Sequence, residues 1–251
     1  MRKFVYPALG SLLILVAWHF YVVIFKVPMA VLPSPLQVWN ALIASRAALL
    51  SEGWITLKEC VYGFALAFAV GVPLAVAVAN SKVLNQMFYP LLIATQSVPK
   101  VALAPIVLVW LGTGLESKLA IVFLVAFFPI VVDTATGLRA TPNELIELAR
   151  SLRASGWQVF SKVQFPAALP FVLSGCKVAV TLAVIGAVIG EFVGSNAGLG
   201  NLLLTANSQV DTPLAFAALF GLALLGLLLY GAVALLEMAM APWISTSHHK
   251  G

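Results

Sequence analysis

The residues best able to do chemistry in this chain are ionisable side chains set inside apolar runs. Lys100 lies near the middle of one such run, directly after Pro99, with Gln96 and Ser97 one helical turn earlier. An ammonium group beside an amide and a hydroxyl offers an anion both charge and hydrogen-bond donors. Glu191 lies towards the end of another run, and Lys177 and Asp133 lie nearer the ends of theirs. An ionised group at mid-membrane costs about 2.5–3.5 kcal/mol on insertion scales, so each needs a partner, water or a passing solute. Two readings of Lys100 stand side by side: a structural ion pair with Glu191, or a contact on a solute pathway. Pro99 and Pro105 both interrupt the run, and broken helices are tolerated where they line protein or water, which favours the pathway. For Lys177 and Asp133 the plainer reading is snorkelling to the interface or pairing inside a bundle.

Other chemistries find no support. No G-x-x-x-x-G-K-[ST] sequence occurs, so this chain does not hydrolyse ATP by itself; GTGLESK (112–118) has the wrong spacing. His19 stands alone in an apolar run, and His248 and His249 belong to a short tail, so no metal site is expected. Cys60 and Cys176 are far apart, within or beside apolar runs, and read as small buried hydrophobes. No Ser/His/Asp or Cys/His constellation supports an enzyme, and no cofactor is implied.

The elements that must position these groups follow from composition. With 62% apolar and 9% charged residues over 251 positions, the chain is far from the ~25% charged composition of soluble domains. Its mean hydropathy is +1.04. The net charge of +5 comes without any cluster of basic and aromatic residues, so nucleic acid is not expected as a partner. An all-α polytopic membrane protein with membrane lipid around it is the class indicated. Six segments reach the ~20 apolar residues that a helix needs to cross a bilayer: 7–25, 60–79, 88–111, 118–138, 167–194 and 214–240. The first is longer than a signal's h-region and is read as an uncleaved span within a single 1–251 domain. With the N-terminus inside, Arg2, Lys3, Lys82, Arg139, Arg150, Arg153, Lys162 and Lys250 fall on the cytoplasmic side, and Lys26, Arg46, Lys58 and Lys118 outside. This excess places both termini and the 139–166 loop in the cytoplasm. Outside, residues 27–54 begin extended at Pro33 and Pro35 and continue as an interfacial amphipathic helix. No outside segment is long enough for a two-lobed solute-binding domain.

Residues 139–166 form the one extended polar block. Thr141 as N-cap, Pro142 at the first helical position and Glu144 as the capping-box carboxylate predict one short helix. Ser155 and Gln158 predict a second, starting near Gly156 and ending before Pro166. Leu145, Leu148, Ala149 and Leu152 share one face of the first helix, leaving Glu144, Glu147, Arg150 and Ser151 on the other. Two capped helices between spans make a docking surface for a soluble protein. In the fifth segment Gly186, Gly190 and Gly194, and likewise Ala179, Ala183 and Ala187, recur every fourth residue, a spacing that lets helix backbones approach closely. The ladders serve packing within the chain or, beyond that, sliding contacts near a pore and a partner.

The polar block is similar to the EAA loop of the permease subunits of bacterial ATP-binding-cassette importers. Glu147, Leu148 and Ala149 stand at its Glu-Ala-Ala positions, and Val163, Phe165 and Pro166 at its Ile-x-Leu-Pro positions. Leu148 replaces an alanine. Arg153 replaces the usual glycine, which puts a glycine-dependent turn in question and leaves Ser155 to provide the turn. PKVALAP (99–105), Trp110 to Gly112, FFP (127–129), GEFVG (190–194) and GLG (198–200) resemble the branch that handles nitrate, sulfonates and taurine; similar permeases serve thiamine-pyrimidine precursors. The resemblance implies a six-span subunit of a bacterial inner membrane. Its partners would be a second permease copy, a cytoplasmic ATPase dimer and an extracytoplasmic solute-binding protein. It assigns ATPase coupling to Glu144, Glu147, Leu148, Ala149, Arg150, Leu152, Arg153 and Pro166. A secondary transporter, the competing class, would show mid-depth ion-coupling carboxylates and usually an inverted repeat; neither is clear here.

Overall fold

The computed structural model describes residues 2–244, without the side chains of residues 2–4, 7, 8, 89, 96 and 241–244. His248, His249 and Lys250 therefore lie outside the described residues. The elements are helices α1 (Arg2–Ile24), α2 (Pro35–Ala44), α3 (Arg46–Asn80), α4 (Lys82–Gln96), α5 (Ala104–Leu111), α6 (Leu115–Arg139), α7 (Asn143–Ser151), α8 (Gly156–Val159), α9 (Phe165–Gly194), α10 (Leu199–Ser208) and α11 (Thr212–Ile244). No strand occurs among the described residues.

Among the described residues four helices are long and apolar enough to cross a membrane: α3, α6, the α8–α9 run and α11. The expected third span is broken. α4 and the Lys100–Leu111 segment meet at a bend of 89°, and counting the pair as one span makes five. The reason is local: Pro99 has no N–H to donate and drives Val98 out of the helical region, while Pro105 fits the first turn of α5. In α1 the apolar stretch is Leu9–Ile24, shorter than these spans, so of the six expected crossings the described residues show four, or five with the bent pair.

α2 follows the extended Pro33–Ser34 entry, and Ser34 and Gln37 close a capping box at its start. The chain then turns directly into α3. Residues 46–59, expected outside the membrane segment, are thus the first turns of a 35-residue helix about 52 Å long. Glu52, Lys58 and Glu59 disguise this continuity in a hydropathy reading; two of those charges have partners within the fold.

α6 lies between α3 and α9. A Cβ on Gly186 would come within 2.9 Å of the Val122 Cα, and one on Gly190 within 3.3 Å of the Lys118 Cα, so the glycine ladder sets the distance between α9 and α6. Ala179, Ala183 and Ala187 are fully buried with Cys60, Val122 and Ala126. Both ladders therefore pack within the chain. α11 covers the outer side of α9, and Trp18 of α1 rests on Phe216 and Phe220 of α11.

Candidate functional site

The polar block forms two helices, with two corrections to the expected boundaries. α7 starts at Asn143, one residue late; Thr141 makes no capping bond, and its hydroxyl is buried without a partner. Pro142 is extended at ψ 132°, so it precedes the helix instead of opening it. The second helix begins at Gly156 with the expected Ser155–Gln158 capping box. It does not end before Pro166. It runs through a π-helical turn, Phe160–Gln164, into α9. A π turn inserts one residue into the helical register, and such turns often mark functional positions.

Between α7 and α8 the backbone turns as a glycine would make it. Arg153 sits at φ 58°, with its N–H bonded to Arg150 O (2.9 Å) and the Ala154 N–H to Ala149 O (3.0 Å). These two bonds make a Schellman motif whose left-handed position usually holds glycine. Arg153 and Ser155 thus share the turn. α7 buries none of its residues. Leu145, Leu148 and Leu152 are exposed along one face, with Trp157 exposed at the start of α8. Glu144, Glu147 and Arg150 are exposed as well, and Ala149 and Pro166 are half-buried.

The second candidate group does not assemble as one cluster. Lys100 starts the 3-10 turn that follows the break, and its Nζ lies 5.0 Å from the centroid of the Phe128 ring. Ser97 is exposed at the end of α4, and Gln96 closes that helix. Lys100 makes no ion pair with Glu191. The Glu191 carboxylate instead accepts from Thr56 Oγ1 (2.7 Å) and from the Gly200 N–H. Nearby, Gly198 N–H donates to Glu52, and Leu199 N–H donates to Thr56 Oγ1 (2.9 Å). Three side chains from α3 and α9 thereby satisfy the free amides at the start of α10, where carboxylates also suit the helix dipole. Gly198 at φ 104° makes the approach possible, since a Cβ there would collide with the Glu191 carboxylate. GEFVG and GLG are two halves of this single device.

One turn deeper, Lys118 bonds Glu59 at 2.7 Å, with side chains 11% and 1% exposed. Lys118 is thus a buried partner and not an exterior loop charge. Sequence reasoning missed Glu52, Thr56 and Glu59, although their i, i+4, i+7 spacing marks one polar face of α3. Of the two readings of Lys177, pairing holds, with Glu237 of α11 as the partner the sequence did not name.

The structure is thus a bundle of apolar helices carrying a short, exposed helical loop. The chain belongs to the family of binding-protein-dependent transport system inner membrane components, whose model matches residues 68–242. It is 39% identical to the riboflavin transport system permease protein RibX of Chloroflexus aurantiacus, over 97% of this chain and 93% of that one. It is 37% identical to the formylaminopyrimidine transport permease protein ThiX of Halalkalibacterium halodurans, over 94% and 95%. A putative aliphatic sulfonates transport permease of Bacillus subtilis is 30% identical over 97% and 87%. The fold is that of a chain in the inward-facing MetNI methionine ABC transporter, with a TM-score of 0.68, 22% identity, and coverage of 78% of this chain and 97% of that one.

Proposed function

We propose that this chain is the permease subunit of an ATP-driven importer for a small heteroaromatic solute, working as two copies with a cytoplasmic ATPase dimer and an extracytoplasmic binding protein. The observation that carries the coupling role is mechanical continuity. The exposed apolar face of α7 and Trp157 are joined through α8 and the π turn to α9, the helix packed most deeply in the bundle. A partner that seats on α7 and moves can tilt α9, switching access between the two sides. ATP hydrolysis falls to the partner. In this arrangement Glu147→Lys abolishes uptake and weakens co-purification of the ATPase while leaving membrane insertion intact; normal uptake at normal expression would remove α7 from the mechanism.

The α7–α8 loop and both termini face the cytoplasm in this scheme. A cysteine at Asn196 should react with an impermeant thiol reagent in intact cells and one at Ser151 should not; the reverse pattern inverts the orientation.

The heteroaromatic solute is supported by the riboflavin and formylaminopyrimidine relatives, which match at higher identity than the sulfonate one. A sulfonate or nitrate is the second reading, favoured by the cation at Lys100. A thermal-shift screen of the cognate binding protein separates them. Stabilisation by riboflavin or formylaminopyrimidine is expected, and stabilisation by taurine or nitrate alone would overturn the first reading.

A further inference from the structure

One side of α9 is left exposed, and among its apolar residues Phe171, Val178 and Ile185 it carries a polar stripe. Ser174 and Thr181 are exposed and Lys177 half-exposed, at i, i+3 and i+7, so the three form one stripe. Lys177 and Thr181 bracket the middle of Phe165–Gly194. Across from them on α11 stand Glu237, ion-paired to Lys177, and Tyr230, 45% exposed. Ser174, Lys177, Thr181 and Tyr230 line a cleft of ≈ 400 Å³. Thr181 and Tyr230 also border a second cleft of ≈ 670 Å³ running on between α9 and α11 past Ile185, Val188, Phe192 and Leu227. The two clefts share a wall and make one furrow, polar at one end and apolar at the other.

An ammonium–carboxylate pair on the surface of two apolar helices is costly to leave in lipid, so a stripe of this kind faces water or protein. We infer that the α9–α11 furrow is a solute-binding segment of the translocation pathway and takes a neutral, flat heteroaromatic ring with a polar rim. This rests on the heteroaromatic reading above for the identity of the solute, but not for the existence of the site. The Lys177–Glu237 pair is neutral overall, so a solute need bring no countercharge. Thr181 Oγ1 donates to the Lys177 carbonyl at 2.9 Å, which leaves its lone pairs free to accept. The Ser174 and Tyr230 hydroxyls supply donors for ring nitrogens and carbonyls. Ring faces fit the apolar end beside Phe192, where a bare oxyanion finds no partner.

The test uses the assembled transporter, with its ATPase and binding protein, in a Cys60→Ala/Cys176→Ala background. Single Ser174→Cys, Thr181→Cys and Leu235→Cys variants are exposed to a small water-soluble methanethiosulfonate. Leu235, 63% exposed and on a different side of α11 from Tyr230, is the lipid-facing control. Positions 174 and 181 should label at least tenfold faster than 235, and riboflavin supplied through the binding protein should slow them severalfold. Labelling no faster than at 235 overturns the site. So does a Thr181→Cys disulfide between two copies without reagent labelling, which makes the stripe a subunit contact. Fast labelling that neither riboflavin nor formylaminopyrimidine slows overturns the solute class. Because the labelling ratio needs no solute, failure of the heteroaromatic reading and failure of the site give different results.

Discussion

Two lysine–glutamate pairs lie within the apolar bundle, and they are built differently. Lys118–Glu59 joins α6 to α3 beside the Thr56–Glu191 bond and the α10 amides, with both side chains nearly sealed. Lys177–Glu237 joins α9 to α11 along an open furrow, with side chains 20% and 33% exposed. The sealed pair can act only on the protein, because nothing reaches it. The open pair is held in place by the same chemistry yet still meets whatever enters the furrow. Burial, more than residue type, separates the two pairs.

Breaking the sealed pair should have the largest effect. Lys118→Met leaves Glu59 buried without its cation, and the Glu59 Oε2 already has no hydrogen-bond partner. A loss of about 3–5 kcal/mol is expected, read as a sharp drop in detergent melting temperature or in yield. Lys118→Met/Glu59→Gln should recover most of it. A fully stable single variant would show that the pair does not hold α3 to α6.

The open pair should respond in the opposite way. Lys177→Met is expected to cost ~1 kcal/mol or less, since the pair is partly exposed to solvent. Uptake should nevertheless fall severalfold. Loss of stability comparable to that of Lys118→Met, or uptake at the wild-type rate, would erase the distinction between the two regions.

Lys100 is a third case, a cation held by a ring instead of a carboxylate. Lys100→Met removes a cation–π contact worth about 0.5–2 kcal/mol, so the protein should persist while uptake drops. Lys100→Arg keeps the charge over Phe128 and should retain part of the function. Wild-type uptake by the methionine variant would take Gln96, Ser97 and Lys100 off the pathway.

The smallest effect belongs to Arg153. Its left-handed backbone costs roughly 1–2 kcal/mol for a residue with a Cβ; Arg153→Gly removes that strain but gives back roughly 0.5–1 kcal/mol in backbone entropy, a small net gain. Amides near the end of α7 should exchange with solvent a few-fold more slowly. Faster exchange would mean that the arginine side chain, and not the Schellman bonds, holds the turn.

Much of the bundle was legible in one dimension. Apolar runs marked the helices, the scarcity of charge marked the membrane, and Ser155 with Gln158 marked the start of α8. Pro99 and Pro105 marked the interrupted third span, although not its 89° bend. Where reasoning went astray, a local signal was overruled by a bond made elsewhere. Thr141 has a capping side chain, yet Pro142 takes the cap position and the hydroxyl is buried. Arg153 argued against a glycine-type turn, yet two backbone bonds enforce it.

Hydropathy and capping depend on neighbours a few residues away, so the sequence alone determined which segments are helical, which are apolar and where the polar loop begins. The choice of partner for each charge is a long-range matter. Glu191 lies 135 residues from Thr56, and Glu59 lies 59 residues from Lys118. Only the close approach of α3 to α6 at Gly63, and of α9 to α6 at Gly186 and Gly190, brings these groups within bonding distance. Tertiary structure therefore decided that Glu191 anchors α10 and does not pair with Lys100. It also decided that α3 carries its charges into the bundle, and that one side of α9 is left open with a polar stripe on it.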